Sequence, residues 1–189
     1  MSPIAITGGV AEGKTTVLRH LASLGARVWS ADEEAARLLA NPRIEREVAE
    51  ALGLPIDFAR PDLAQRLRED VRARRTLNAL LHAPILEAMK KAQPDVAEIP
   101  LLVEACLIGR FDQVWVVTCG PEEQRRRLVA RLGDERAADD LLATQLRTRA
   151  KLPFADLVVR TNTALESVFC VIEDAWRHRN GRNAGEPEV

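Results

Sequence analysis

Residues 8 to 15 read Gly8-Gly9-Val10-Ala11-Glu12-Gly13-Lys14-Thr15, which is the pattern G-x-x-x-x-G-K-[ST]. The flanking residues restrict what can surround it. Ile4-Ala5-Ile6 forms a short apolar run before the loop, and Val17, Leu18, Leu21 and Leu24 recur on one helical face after it. Strand, glycine loop and helix in that order suit an open parallel α/β sheet, where loop amides meet an anion at the start of a helix. Gly8 and Gly13 permit backbone angles and close approaches that a side chain would block. Lys14 is spaced to reach β- and γ-phosphates, and Thr15 to offer a hydroxyl to Mg²⁺. Gly9, Val10, Ala11, Glu12, Gly13, Lys14, Thr15 and Thr16 are therefore the expected ATP-binding set. The dinucleotide pattern G-x-G-x-x-G is excluded, because Ala11 stands where it needs glycine.

Further along, Gly25 follows the last periodic leucine, and Ala26-Arg27-Val28-Trp29 suits a second strand. Ser30-Ala31-Asp32-Glu33 has the form of a capping box and opens a helix that stops at Asn41-Pro42. From Arg43 to Val96 the pattern is helical, with Pro42, Pro55, Pro61, Pro84 and Pro94 as expected breaks. Ile99-Pro100-Leu101-Leu102-Val103 and Val114-Trp115-Val116-Val117-Thr118 suit strands covered on both faces. A helix from Gly120 ends at Gly133, a charged helix spans Asp139 to Leu152, and Leu157-Val158-Val159 reads as a fifth strand. Leu165, Val168, Phe169, Ile172 and Trp176 mark a closing helix, and the residues after His178 read as a disordered tail. Strands alternating with helices predict a doubly wound α/β domain with ligands at the carboxyl ends of its strands.

Composition limits the partners. Of 189 residues 29% are charged, yet they nearly cancel to a net charge of -1, so nothing in the balance favours nucleic acid or an acidic membrane. Cys106, Cys119 and Cys170 lack metal or redox spacing and are expected as buried free thiols in a reducing compartment. No signal-peptide pattern opens the chain, and no apolar stretch has spanning length, so a soluble cytoplasmic protein is expected.

Asp32, just past the second strand, has two readings. Its carboxylate can orient an acceptor hydroxyl and take its proton, or it can simply complement the positive end of the helix. Arg127 and Arg131, four apart on one helical face, can bring guanidinium groups onto ATP phosphates, whereas Arg125 and Arg126 read as a solvated face. Glu104 interrupts an apolar run and needs a partner if buried. His82 alone reads as a packed or capping histidine.

Beyond the loop, Leu24-Gly25, Ala31-Asp32, Leu77-Asn78-Ala79-Leu80-Leu81-His82 before Pro84-Ile85, Ile99-Pro100-Leu101-Leu102 with Glu104, Gln124, Arg127, Arg131, Gln145 and Ala155-Asp156 stand in one order. In that combination the chain resembles the dephospho-coenzyme A kinases, which phosphorylate the ribose 3'-hydroxyl of dephospho-coenzyme A in the last step of coenzyme A synthesis. The resemblance implies a three-layer α/β/α fold of the P-loop nucleoside triphosphate hydrolase type, with a five-stranded parallel sheet. It implies a kinase core at 1–32 and 97–180, with a lid at about 131–152. A helical coenzyme A-binding insertion is implied at 33–96, ahead of a tail at 181–189. It implies Asp32 as base, Lys14, Thr15 and Arg131 serving ATP and Mg²⁺, and Arg60, His82 and Glu104 near the acceptor. Oligomeric state stays open.

The chain departs from the family pattern at several positions. Ala11 and Glu12 stand where glycine and serine are usual, Ser30 replaces a frequent aspartate, Thr161 and Thr163 an asparagine and a glycine, and Arg68 a phenylalanine. A glutamate at position 12 would repel phosphates unless it points to solvent. Other small-acceptor kinases, of nucleoside monophosphate or shikimate type, and a non-catalytic nucleotide-binding relative are the competing readings. A GTPase is disfavoured, because Cys119-Gly120-Pro121-Glu122 replaces the N-K-x-D guanine segment.

Overall fold

The apolar runs and amphipathic stretches resolve, in a computed structural model that describes residues 3–183, into a five-stranded sheet and its helices. The strands are β1 (Ile4–Thr7), β2 (Val28–Ser30), β3 (Val96–Glu98), β4 (Gln113–Thr118) and β5 (Leu157–Arg160), in the order β2-β3-β1-β4-β5. β1 pairs in parallel with β3 and β4, and β4 with β5, with Ile4 opposite both Val96 and Gln113. The helices are α1 (Lys14–Ser23), α2 (Ala31–Leu38), α3 (Pro42–Leu52), α4 (Arg60–Glu69), α5 (Val71–Ala92), α6 (Pro121–Leu132), α7 (Glu135–Ala143) and α8 (Leu165–Asn183).

The chain divides into two compact units. One takes in everything up to Val28 and from Pro94 onward, and the other is Trp29–Gln93. In the first, alternate strand residues Ile4, Ile6, Val96, Trp115, Val117 and Val159 form one sheet face. That face packs on Val17, Leu18 and Leu21 of α1 and on Val168, Ile172 and Trp176 of α8. Full burial of each such side chain contributes about 1.5–3 kcal/mol. The intervening residues Ala5, Ala97, Val114 and Val116 are buried too, which explains why these strands read as continuous apolar runs rather than alternating ones.

The second unit is helical and has its own core, in which Val48, Leu52, Phe58, Leu63, Leu77 and Leu81 meet. Its entry is fixed locally. The Ser30 hydroxyl accepts from the Glu33 amide at 3.4 Å to start α2, and Asn41 caps α3 with Pro42 in the first turn.

Several expectations are corrected. The third strand is Val96–Glu98, and residues 99–107 turn away. Ile99 donates the last ladder bond, to the Ile6 carbonyl, and Pro100 has no amide to continue it. The second strand starts at Val28 rather than Ala26, whose amide is held by Leu21 at the end of α1. Pro84 does not break a helix, since α5 runs through it with Leu77, Leu81, Leu86 and Met89 buried, so packing outweighs the lost hydrogen bond. The charged helix expected to reach Leu152 ends at Ala143, and short 3-10 helices follow at Thr148–Ala150 and Leu152–Phe154. Only Cys119 is buried, while Cys106 and Cys170 are exposed. α8 extends to Asn183, into the stretch read as a tail, and residues 184–189 lie outside the described residues.

Candidate active site

The loop leaves β1 at Thr7 and enters α1 at Lys14, and two glycines make that path possible. Gly8 has φ +151°, and a Cβ there would lie 2.3 Å from the Val117 carbonyl oxygen. Gly13 has φ +93°, with Thr161 pressed against it. Ala11 also takes a left-handed φ, 61°, without glycine's freedom.

Glu12 does not point to solvent, as phosphate repulsion would suggest. It is 1% exposed and turned in beneath the loop. Its carboxylate accepts from the Gly9 amide, from the Thr148 hydroxyl at 2.5 Å and from the Thr118 hydroxyl at 3.1 Å. Its own carbonyl accepts from the Thr161 hydroxyl at 2.7 Å. A buried carboxylate is tolerable when donors surround it in this way. Val10 is held as well, its amide donating to Gln145 at 3.1 Å and its carbonyl accepting from Gln124 at 2.9 Å.

Lys14 folds back along the loop, its Nζ donating to the Gly9 carbonyl at 2.8 Å and lying 3.9 Å from Glu98 at the end of β3. Thr15 and Thr16 are exposed on the first turn of α1. Beside Ala11, burial pushes the Cys119 thiol above its ordinary range, which keeps it protonated and unreactive.

A cavity of about 590 Å³ opens beside the loop, lined among others by Glu12, Thr118, Thr148, Arg147, Arg149 and Arg160. Arg125 also lines it, and is tied to Asp139 at 2.7 Å and Glu135 at 3.0 Å rather than freely solvated. Arg127 is tied as well, to Glu123 and to the carbonyl of Thr161 at 2.7 Å, so it braces the loop's surroundings. Arg131 sits exposed in the last turn of α6.

The remaining candidates are more dispersed. Glu104 finds the partner it needed in Lys151, 3.0 Å away, although it lies in a turn and not in a strand. Asp32 stands in the first turn of α2, Arg60 donates to the Ala36 carbonyl at 3.0 Å, and His82 is exposed on α5. All three belong to the helical unit. A second cavity there, about 620 Å³ between α2 and α5, is lined by Glu34, Arg37, Pro84, Glu87 and Lys91 and by none of those three. Sequence reading missed Thr118, Thr148, Arg147, Arg149 and Arg160, for isolated threonines and surface-type arginines carry no local signal.

A parallel sheet of this order, with a G-x-x-x-x-G-K-T turn between its β1 and the first helix, defines the P-loop kinases as the class. The CoaE dephospho-CoA kinase family model matches residues 2–167, and the chain belongs to that family. A dephospho-CoA kinase of Moorella thermoacetica is 35% identical over 202 residues, covering 98% of this chain and 95% of the relative. The solved structure of TT1252 from Thermus thermophilus superimposes with a TM-score of 0.73 at 28% identity, covering 96% of this chain and 98% of that one. A dephospho-CoA kinase from Campylobacter jejuni shares the fold at a TM-score of 0.59 and 20% identity, covering 94% of this chain and 96% of that one.

Proposed function

We propose that the protein transfers the γ-phosphoryl group of ATP to the ribose 3'-hydroxyl of dephospho-coenzyme A, giving coenzyme A and ADP. The observation that carries this reading is the glycine loop at the start of α1, in a chain of the dephospho-CoA kinase family. In this reading the loop residues 9–16 hold the triphosphate, with Lys14 leaving the Gly9 carbonyl for the β- and γ-phosphates. Arg131 adds positive charge, and residues 131–152 serve as a lid over ATP.

Mg²⁺ fits the oxygen chemistry present. Thr15 offers an exposed hydroxyl, Glu98 a carboxylate 3.9 Å from Lys14, and a magnesium site of this kind draws its remaining ligands from phosphates and water. Thr15 would hold the ion, which when bound offsets charge on the phosphates.

Asp32 acts as the base. As the 3'-oxygen forms its bond to the γ-phosphorus, the bond from that phosphorus to the β,γ-bridging oxygen breaks, ADP leaves, and the hydroxyl proton passes to the Asp32 carboxylate. Arg60, His82 and Glu104 contact the acceptor, and the helical unit is the coenzyme A-binding part, working in the cytoplasm.

The test is an acceptor panel. Purified protein with ATP and Mg²⁺ is offered dephospho-coenzyme A, adenosine, nucleoside monophosphates and shikimate, and the product is located by phosphorus NMR. Phosphate at the ribose 3' position of dephospho-coenzyme A is expected. Transfer to another acceptor in preference, or to another position, would overturn the reading.

A further inference from the structure

We propose that Glu12 is a positioning residue for this reaction, coupling residues 145–149 to the phosphate loop through its bond with Thr148. The inference rests on the phosphoryl-transfer reading and deepens it.

Nothing in the loop motif asks for a carboxylate at position 12. Yet this one is fully engaged, by donors from three separate parts of the chain: Gly9 within the loop, Thr118 at the end of β4, and Thr148 between α7 and β5. The Gly9 amide is shared, because it also lies 3.1 Å from the Thr148 hydroxyl. Three residues earlier, Gln145 takes the Val10 amide. Three residues later, Lys151 is held by the Pro100 carbonyl at 2.5 Å and by Glu104. The segment is therefore pinned on both sides of Thr148, and the pin at its middle is the Glu12 carboxylate.

The arginines give that pin a consequence. Thr148 is buried while its neighbours Arg147 and Arg149 are exposed, and all three line the cavity beside the loop together with Glu12. Where the Thr148 hydroxyl is fixed, the backbone from which the two flanking guanidinium groups extend is placed relative to the loop amides, and so is the range they can reach. Charge that develops during transfer is stabilised by donors already in position, so their placement bears on turnover more than on ground-state binding.

The experiment compares the parent with Glu12→Gln, Thr148→Val, Thr148→Ser and the Glu12→Gln/Thr148→Val double variant. Hydrogen exchange of residues 9, 10 and 146–150 is followed on the protein alone, and kcat and the KM for ATP are measured with dephospho-coenzyme A. Both single variants are expected to exchange faster over those residues. Their kcat should fall by roughly 10- to 100-fold, the scale of a small misplacement of catalytic groups, with KM changed by less than about threefold. The double variant should be no worse than the poorer single one, and Thr148→Ser should recover most of the rate lost in Thr148→Val. Unaltered exchange, additive losses, or faster exchange with undiminished kcat would overturn the proposal. If Glu12→Gln does not fold, the isosteric Thr148→Val decides on the same readouts. A parent inactive toward dephospho-coenzyme A overturns the acceptor assignment, and the exchange measurements, which need no substrate, still decide the coupling.

Discussion

The ammonium group of Lys151, on a side chain 2% exposed, lies 3.0 Å from a Glu104 carboxylate oxygen and donates to the Pro100 carbonyl at 2.5 Å. This contact joins the start of β5's approach to the turn that follows β3, two regions 47 residues apart in sequence.

Replacing Lys151 with methionine keeps its volume but removes both charge-assisted bonds. The Pro100 carbonyl would keep only the Thr7 hydroxyl, at 3.2 Å, and Glu104, its side chain about a quarter exposed, would lose its cation. Hydrogen bonds to charged groups contribute about 1.5–3 kcal/mol each, and burial of the apolar methionine end offsets part of the two lost, so Lys151→Met should lower the stability by about 1.5–3 kcal/mol in net. Urea unfolding measures it, and an unchanged midpoint would mean that the pair does not stabilise the fold.

Ala11 has φ 61°, where an L side chain costs roughly 1–2 kcal/mol and glycine almost nothing. Glycine also gives the unfolded chain more freedom, which offsets part of that gain by about 0.4–1 kcal/mol. Ala11→Gly should therefore be stabilising by a net amount of about 0.5–1 kcal/mol, visible as a melting temperature higher by about 1–4 °C. A lower melting temperature would show that the Ala11 methyl makes packing contacts worth more than the strain.

Glu123 shows how pH acts on the groups around the loop. Hydrogen bonds from Arg126 first and Arg127 second hold its carboxyl down to about 2 against an ordinary 4.5. A depressed folded-state pKa means that the stabilisation is complete above about 4.5 and is lost as pH falls toward about 2. Glu123→Gln should thus lie below the parent in melting temperature at neutral pH and converge with it as pH approaches about 2. The gap should be small and should shrink in salt, since Arg126, the first of its partners, is exposed. A gap independent of pH would assign the effect to something other than this charge.

These relationships differ in how much of them a sequence displays. The loop, the Ser30 cap and the Asn41-Pro42 helix start were legible because each is written within a few consecutive residues. The continuous apolar run of β4 was legible because both its faces are covered. The end of β3 was not, since Ile99 to Val103 is as apolar as a strand and only the ladder shows that pairing stops at Ile99. Pro84 misled because the penalty for proline is local, whereas the packing that outweighs it comes from α2, α3 and α4. Glu12 misled most, as its donors Thr118 and Thr148 lie 106 and 136 residues away.

Asp32 permits the sharpest test of the catalytic reading. Its two roles are separated by what removing each would cost, since the Ser30 hydroxyl already accepts from the Glu33 amide at the start of α2. As a helix-dipole partner Asp32 would be worth about 0.3–1 kcal/mol of stability and nothing in rate. As the base it should be worth about two to four orders of magnitude in kcat. Asp32→Asn keeps the side chain's size and removes its capacity to take a proton, so the proposal expects that loss in kcat with nucleotide affinity preserved and stability lowered by no more than the dipole contribution. Nucleotide titration, melting and turnover on the same preparation check all three. Turnover within a few-fold of the parent, with a small drop in melting temperature, would return Asp32 to the helix end and leave the acceptor proton to another group.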